Sequence, residues 1–157
     1  MKRIYLTIML LGLFAIGAQA QTPTPTPAPA TSPGAVFRVT YYKIKPGKTA
    51  EYIKFLREHA KPIYDEQKKQ GLILDYFYFN QPTSDSPSDW EVAQVLVFRN
   101  YADALESSAE RSAKVNEITL KHYGTAEART KANDSLSDLR DVLSTHLMRQ
   151  QILNPIK

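Results

Sequence analysis

Two stretches of this chain carry large apolar side chains on consecutive residues, and a sheet cannot hide such strands behind a single layer. Strand geometry sends successive side chains to opposite faces. In LILDYFYF (72–79) this sets Phe77 and Phe79 against Tyr76 and Tyr78; in WEVAQVLVF (90–98) it sets Trp90, Val92 and Leu96 against Ala93, Val95 and Val97. A sheet made from them is apolar on both sides and needs a cover on each. Helices of the same chain supply one cover, and a second copy of the domain is the simplest source of the other.

The rest of the chain supplies the helices. VFRVTYYKIK (36–45) is rich in β-branched and aromatic residues and stops at Pro46-Gly47, so it reads as a first strand ending in a turn. Thr49 then opens a helix whose apolar positions Tyr52, Phe55, Leu56, Ala60 and Ile63 share one face, with Pro62 expected to kink it and Gly71 to cap it. The two apolar strands follow, joined as an antiparallel hairpin by the polar loop NQPTSDSPSD (80–89). Asn100 caps a helical region running to Gly124, Thr125 starts a further helix with Ala128, Ala132, Leu136 and Leu139 on one face, and residues 142–153 form a closing strand. The order β-α-β-β-α(α)-β predicts an α+β, ferredoxin-like domain, helices covering one face of an antiparallel sheet.

The N-terminus assigns a compartment. Lys2 and Arg3, a thirteen-residue apolar run from Ile4 to Ile16, and Ala18-Gln19-Ala20 have the form of a cleavable secretory signal peptide over 1–20. The run is short of the roughly 20 apolar residues a membrane span needs, so we expect no membrane association after signal removal. Residues 21–35 begin QTPTPTP and read as an extended Thr/Pro-rich spacer, leaving 36–157 as the domain. The expected location is periplasmic or extracellular. The chain has no cysteine, which excludes a lipid anchor, disulfides and thiolate chemistry. Losing Lys2 and Arg3 with the leader leaves 18 basic against 16 acidic residues, interleaved along the sequence, so the charge gives no basis for nucleic-acid binding.

TYYKIKPGKTAEYIKFL (40–56) and EHAKPIYDEQKKQGLILDYFYF (58–79) resemble the opening of dimeric α/β-barrel domains, in which a strand runs through a Lys-Pro-Gly-Lys turn into an amphipathic helix. The similarity covers residues 37–99 and is strongest to the NIPSNAP and antibiotic-biosynthesis-monooxygenase branches, which include secreted bacterial members of unassigned function. The resemblance implies a homodimer whose sheets face each other around a central cavity, with a further pocket in each protomer between sheet and helices. It implies no one chemistry, since that superfamily spans oxygenases, haem-handling enzymes, isomerases and proteins without known activity.

Candidate site residues are polar groups set among apolar ones. Arg38, Thr40 and Tyr42 share a strand face opposite Phe37, Val39 and Tyr41, and are expected to look into the cavity or the dimer interface. Gln94 and His146 interrupt apolar runs, where an unpartnered buried group costs roughly 1–3 kcal/mol. Tyr76 and Tyr78 offer aromatic faces for a flat ligand. His59, on the apolar face of the first helix, and His146 are the candidate general bases; His122, near a helix C-terminus, suits the helix dipole. Asp75 and Glu91 are placed to pair across the hairpin. Metal-ligand spacings, phosphate loops and nucleophile elbows are all missing from the sequence, so neither metal nor cofactor is expected. Two functions fit: a non-catalytic domain that binds a small apolar or aromatic molecule or acts as an interaction module, and a cofactor-independent monooxygenase- or isomerase-like enzyme using a pocket histidine, with Arg38 or Tyr42 positioning substrate oxygens.

Overall fold

The computed structural model describes residues 29–82, 86, 89–105 and 108–155. The expected signal peptide and most of the expected spacer lie outside the described residues. Four strands, β1 (Thr31–Ile44), β2 (Asp75–Asn80), β3 (Val92–Phe98) and β4 (Arg140–Leu153), form one antiparallel sheet in the order β2-β3-β1-β4. The helices fall between β1 and β2 and between β3 and β4, which makes the fold ferredoxin-like. Among the described residues no helix is long and apolar enough to cross a membrane.

The first helical stretch is continuous but not uniform: α1 (Thr49–Phe55), a π-helical turn (Leu56–Ala60) and α2 (Lys61–Lys69). Pro62 explains the interruption. It has no N–H for the carbonyl of Glu58, and its ring crowds that carbonyl. The chain widens into a π turn that ends two residues before the proline. Lys48, not Thr49, occupies the N-cap position, and no side chain caps it. Beyond Asn100, the single helical region read from sequence is divided into a short α3 (Tyr101–Ala104) and α4 (Ala109–Tyr123), because Ser108 starts a new helix by accepting a bond from the Arg111 N–H. Helix α5 (Ala126–Ser137) is capped by Thr125, as its sequence predicts.

Strand β1 begins at Thr31, inside the segment assigned to the spacer. Its partner accounts for this: β4 is long enough to pair Thr31 with Leu153 and Pro33 with Gln151, across an irregularity at Gly34. A Cβ at Gly34 would stand 2.7 Å from Gln150 Oε1, so the close approach of the two strands needs glycine.

The two sheet faces differ in partner. Val36, Tyr42 and Ile44 of β1 and Val92, Leu96 and Phe98 of β3 pack under the helices with Tyr52, Ile73, Ala104 and Leu139. The opposite face gathers Val39, Ala93, Val95 and Val97 beneath Phe37, Tyr41, Phe77 and Trp90, and among the described residues no helix packs on it. Trp90 departs from its parity assignment: it precedes β3 and turns to this open face, its ring 5.2 Å from that of Tyr41. Asp75 and Glu91 do not meet. Asp75 pairs with Val97 at one end of the hairpin and bonds Lys68 at 2.8 Å, whereas Glu91 sits at the other end, 2.9 Å from Lys43 Nζ.

Candidate ligand-binding site

A cavity of about 270 Å³ lies between the sheet and the helical layer. Gln94 forms its polar floor. The register sets Gln94 directly across from Tyr78 on β2 and Thr40 on β1, with Tyr42 two residues along on the diagonal, within reach of a long side chain. Tyr42 O–H donates to Gln94 Oε1 at 2.7 Å, and Gln94 Nε2 donates to the hydroxyls of Tyr64 (2.8 Å) and Tyr78 (3.1 Å). Tyr64 descends from α2, so the cluster ties the helical layer to three adjacent strands of the sheet, β2, β3 and β1. The π turn serves the same cavity, since Leu56 and Ala60 form part of its wall.

The described residues around the cavity bring two arginines and no carboxylate. Arg140, the first residue of β4, lays its guanidinium 3.4 Å from the centre of the Tyr42 ring and donates to the Tyr52 hydroxyl at 3.4 Å. Arg38 donates to the Ala104 carbonyl at 3.1 Å and stacks 5.1 Å from the Phe98 ring centre. Burial pushes the Tyr52 hydroxyl up to about 12, against the pull of Arg140. Burial likewise raises Tyr64 and Tyr78, in Tyr64 against the Gln94 hydrogen bond and both guanidiniums. All three phenols therefore stay protonated at neutral pH and keep a proton to donate.

Of the residues proposed from sequence, Arg38, Tyr78 and Gln94 line this cavity and Tyr42 bonds its floor. Arg38, Thr40 and Tyr42 turn to the helices, not to the open face, because they share their strand side with Val36 and Ile44, the residues that seat Ala104 and Tyr52. Thr40 accepts a bond from Thr145 Oγ1 at 3.2 Å and stands outside the cavity. Tyr76 is also outside: its hydroxyl donates to Asp65 at 2.6 Å, and burial together with that carboxylate raises its pKa. His146 is exposed on the open sheet face, 3.2 Å from Ser144 Oγ and edge-on to Tyr41. Neither His59 nor His146 lines the cavity, and the helices and sheet separate them. Tyr64 and Arg140, which line the cavity, and Tyr52, which bonds Arg140, are not among the candidate site residues that the sequence singles out. Tyr64 follows Ile63 on the inward side of the helix, the one cue available for it.

His59 has a different partner. Its Nδ1 lies 3.0 Å from His122 Nε2, one imidazole donating and the other accepting, with Tyr123 and Phe55 packed around the pair. Charged residues beside the pair are Glu58 and Lys131 on one side and Glu66, Glu117 and Lys121 on the other. Burial, then the neighbouring His59, holds His122 below the usual imidazole value. The unfolded chain therefore binds this proton at higher pH than the folded protein does. Stability is expected to be greatest above about pH 6.5 and to fall as pH drops from there through the folded value. Urea midpoints at pH 7.5 and 5.5 check this: His122→Gln should narrow the gap between them, and an unchanged gap would clear the pair of responsibility.

Comparison with known proteins identifies the fold. No family model matches the chain, and no curated protein matches it. A NIPSNAP family protein with unknown function from Agrobacterium tumefaciens is 18% identical, with a TM-score of 0.50 over 79% of this chain and 95% of that one. A dimeric protein of unknown function and ferredoxin-like fold from Bacteroides fragilis is 15% identical (TM-score 0.41; 76% of this chain, 97% of that one). A dimeric ferredoxin-like protein from an uncultured marine organism is 13% identical (TM-score 0.45; 80% and 93%). At these identities the likeness is one of architecture, and it shows a ferredoxin-like fold.

Proposed function

We propose that this chain is an exported homodimeric domain that binds a small organic molecule between its sheet and its helices. The observation that carries the binding reading is the cavity above Gln94, whose walls are mostly apolar and aromatic and whose floor holds Gln94 bonded to the Tyr64 and Tyr78 hydroxyls. Export rests on the leader-like sequence of residues 1–20. The dimer rests on the open sheet face, where Phe79 and Met148 stand about half exposed beside Phe37, Tyr41 and Phe77. A second copy of the same face, brought up across a two-fold axis, would cover these side chains. Binding is favoured over catalysis because no imidazole lines the cavity to act as a base.

Native mass spectrometry of the protein purified from its own host tests the binding reading. The expected spectrum shows a non-covalent adduct of small-molecule mass, removed by collisional activation. Ala60→Phe, which fills the cavity from the π turn, should abolish the adduct. Adduct-free protein, or an adduct kept by the variant, would overturn it.

A further inference from the structure

The charge of the cavity narrows what it can hold. A ligand in a mostly apolar site is oriented by a few fixed polar groups, and it binds when its own polar groups answer theirs. Three features of this wall have the same sign. First, the described residues lining it include two guanidiniums and no carboxylate. Second, Arg140 uses one donor on Tyr52 and stacks on Tyr42, and among the described residues it has no carboxylate partner. An arginine carries five N–H donors in a planar fork suited to a carboxylate, so most of this one's capacity is unspent. Third, Gln94 gives both its amide protons away, to Tyr64 and Tyr78. Each of those hydroxyls already accepts a hydrogen bond, so its own proton points onward, and neither has an acceptor among the described residues.

Resting on the binding function proposed above, we infer that the ligand is a small organic acid bound as its carboxylate, held by Arg140 with the Tyr64 and Tyr78 hydroxyls, its apolar body against Phe55, Leu56 and Val115. The carboxylate supplies the acceptors that the wall lacks and offsets the positive charge that the wall concentrates. A neutral isostere leaves the guanidinium without a counter-charge and at least one hydroxyl without an acceptor. Such mismatches are what allow a polar site to reject near-identical shapes. Tyr42 sets the polarity of the arrangement: by donating to Gln94 Oε1 it orients the amide so that the NH2 group faces Tyr64 and Tyr78.

Matched acids and amides separate this inference from the binding reading beneath it. Benzoate, benzamide, hexanoate and hexanamide would be titrated into the purified protein by calorimetry at pH 7.5. Each acid should bind at least about tenfold more tightly than its amide, a gap of roughly 1.4 kcal/mol. Gln94→Glu keeps an acceptor for every tyrosine hydroxyl while placing a negative charge at the floor, so it should weaken acid binding by at least about tenfold, with the circular dichroism spectrum and melting temperature showing a folded domain. Arg140→Met should weaken the acids by a larger factor than the amides, which narrows the gap between them. Equal affinity for acid and amide would overturn the carboxylate inference and leave the cavity as a neutral-ligand site. Failure of all four probes at millimolar concentration would overturn both.

Discussion

Gln94→Leu is expected to destabilise the protein by about 3 kcal/mol. The side chain is 8% exposed and holds three tyrosine hydroxyls from two strands and a helix. Leucine fills most of the space but makes none of the bonds. Tyr42, which is buried, then has no acceptor for its proton, and each such orphan costs about 1–3 kcal/mol. Tyr64 and Tyr78 lose a donor but can relax toward the cavity, which keeps the total near the cost of one orphan plus two weakened bonds. For a domain of this size the loss should lower the melting temperature by on the order of 10 °C. Urea denaturation gives the free energy directly. A Leu variant as stable as the parent would show that the tyrosine cluster does not hold the helical layer to the sheet.

The same residue shows how far sequence can be read. Element order follows from local signals: the Pro46-Gly47 turn, the apolar spacing from Tyr52 to Ile63, the caps at Asn100 and Thr125, and the paired strand runs. Gln94 stands out as the one polar residue inside β3, and burial obliges it to find partners. Which partners it finds is a tertiary question. Tyr78 and Tyr42 follow from strand register, which hydrophobic patterning fixes only to within a choice of face. Both faces here are apolar, so patterning cannot say whether Arg38 and Tyr42 meet helices or solvent. Tyr64 and Arg140 join the site through helix-to-sheet docking and through the join between α5 and β4, neither of which leaves a periodic trace. The π turn belongs to the same class. Pro62 announces a disturbance, but only packing decides between a kink and a widened turn.

The open face of the sheet, the feature that first limited the fold, yields the other large expected effect. Replacing both Phe79 and Met148 with glutamate should convert a dimer into a monomer. In a single protomer these side chains are 53% and 46% exposed, so the substitutions add charge at sites already in contact with water and leave the buried row Val39, Ala93, Val95 and Val97 intact. A folded monomer is therefore the expected product. In a two-fold interface each substitution counts twice. Four large side chains cease to be buried, each worth at least about 1 kcal/mol at such a contact, and four carboxylates would have to be buried without partners. Together these raise the dissociation constant by at least about a thousandfold. Sedimentation velocity at micromolar concentration, with circular dichroism to show that the fold persists, reads the outcome. A parent protein that sediments as a monomer would remove the second copy as the cover for this face. A double variant that remains dimeric would place the contact elsewhere, on the exposed helical surface or along the free edge of β4.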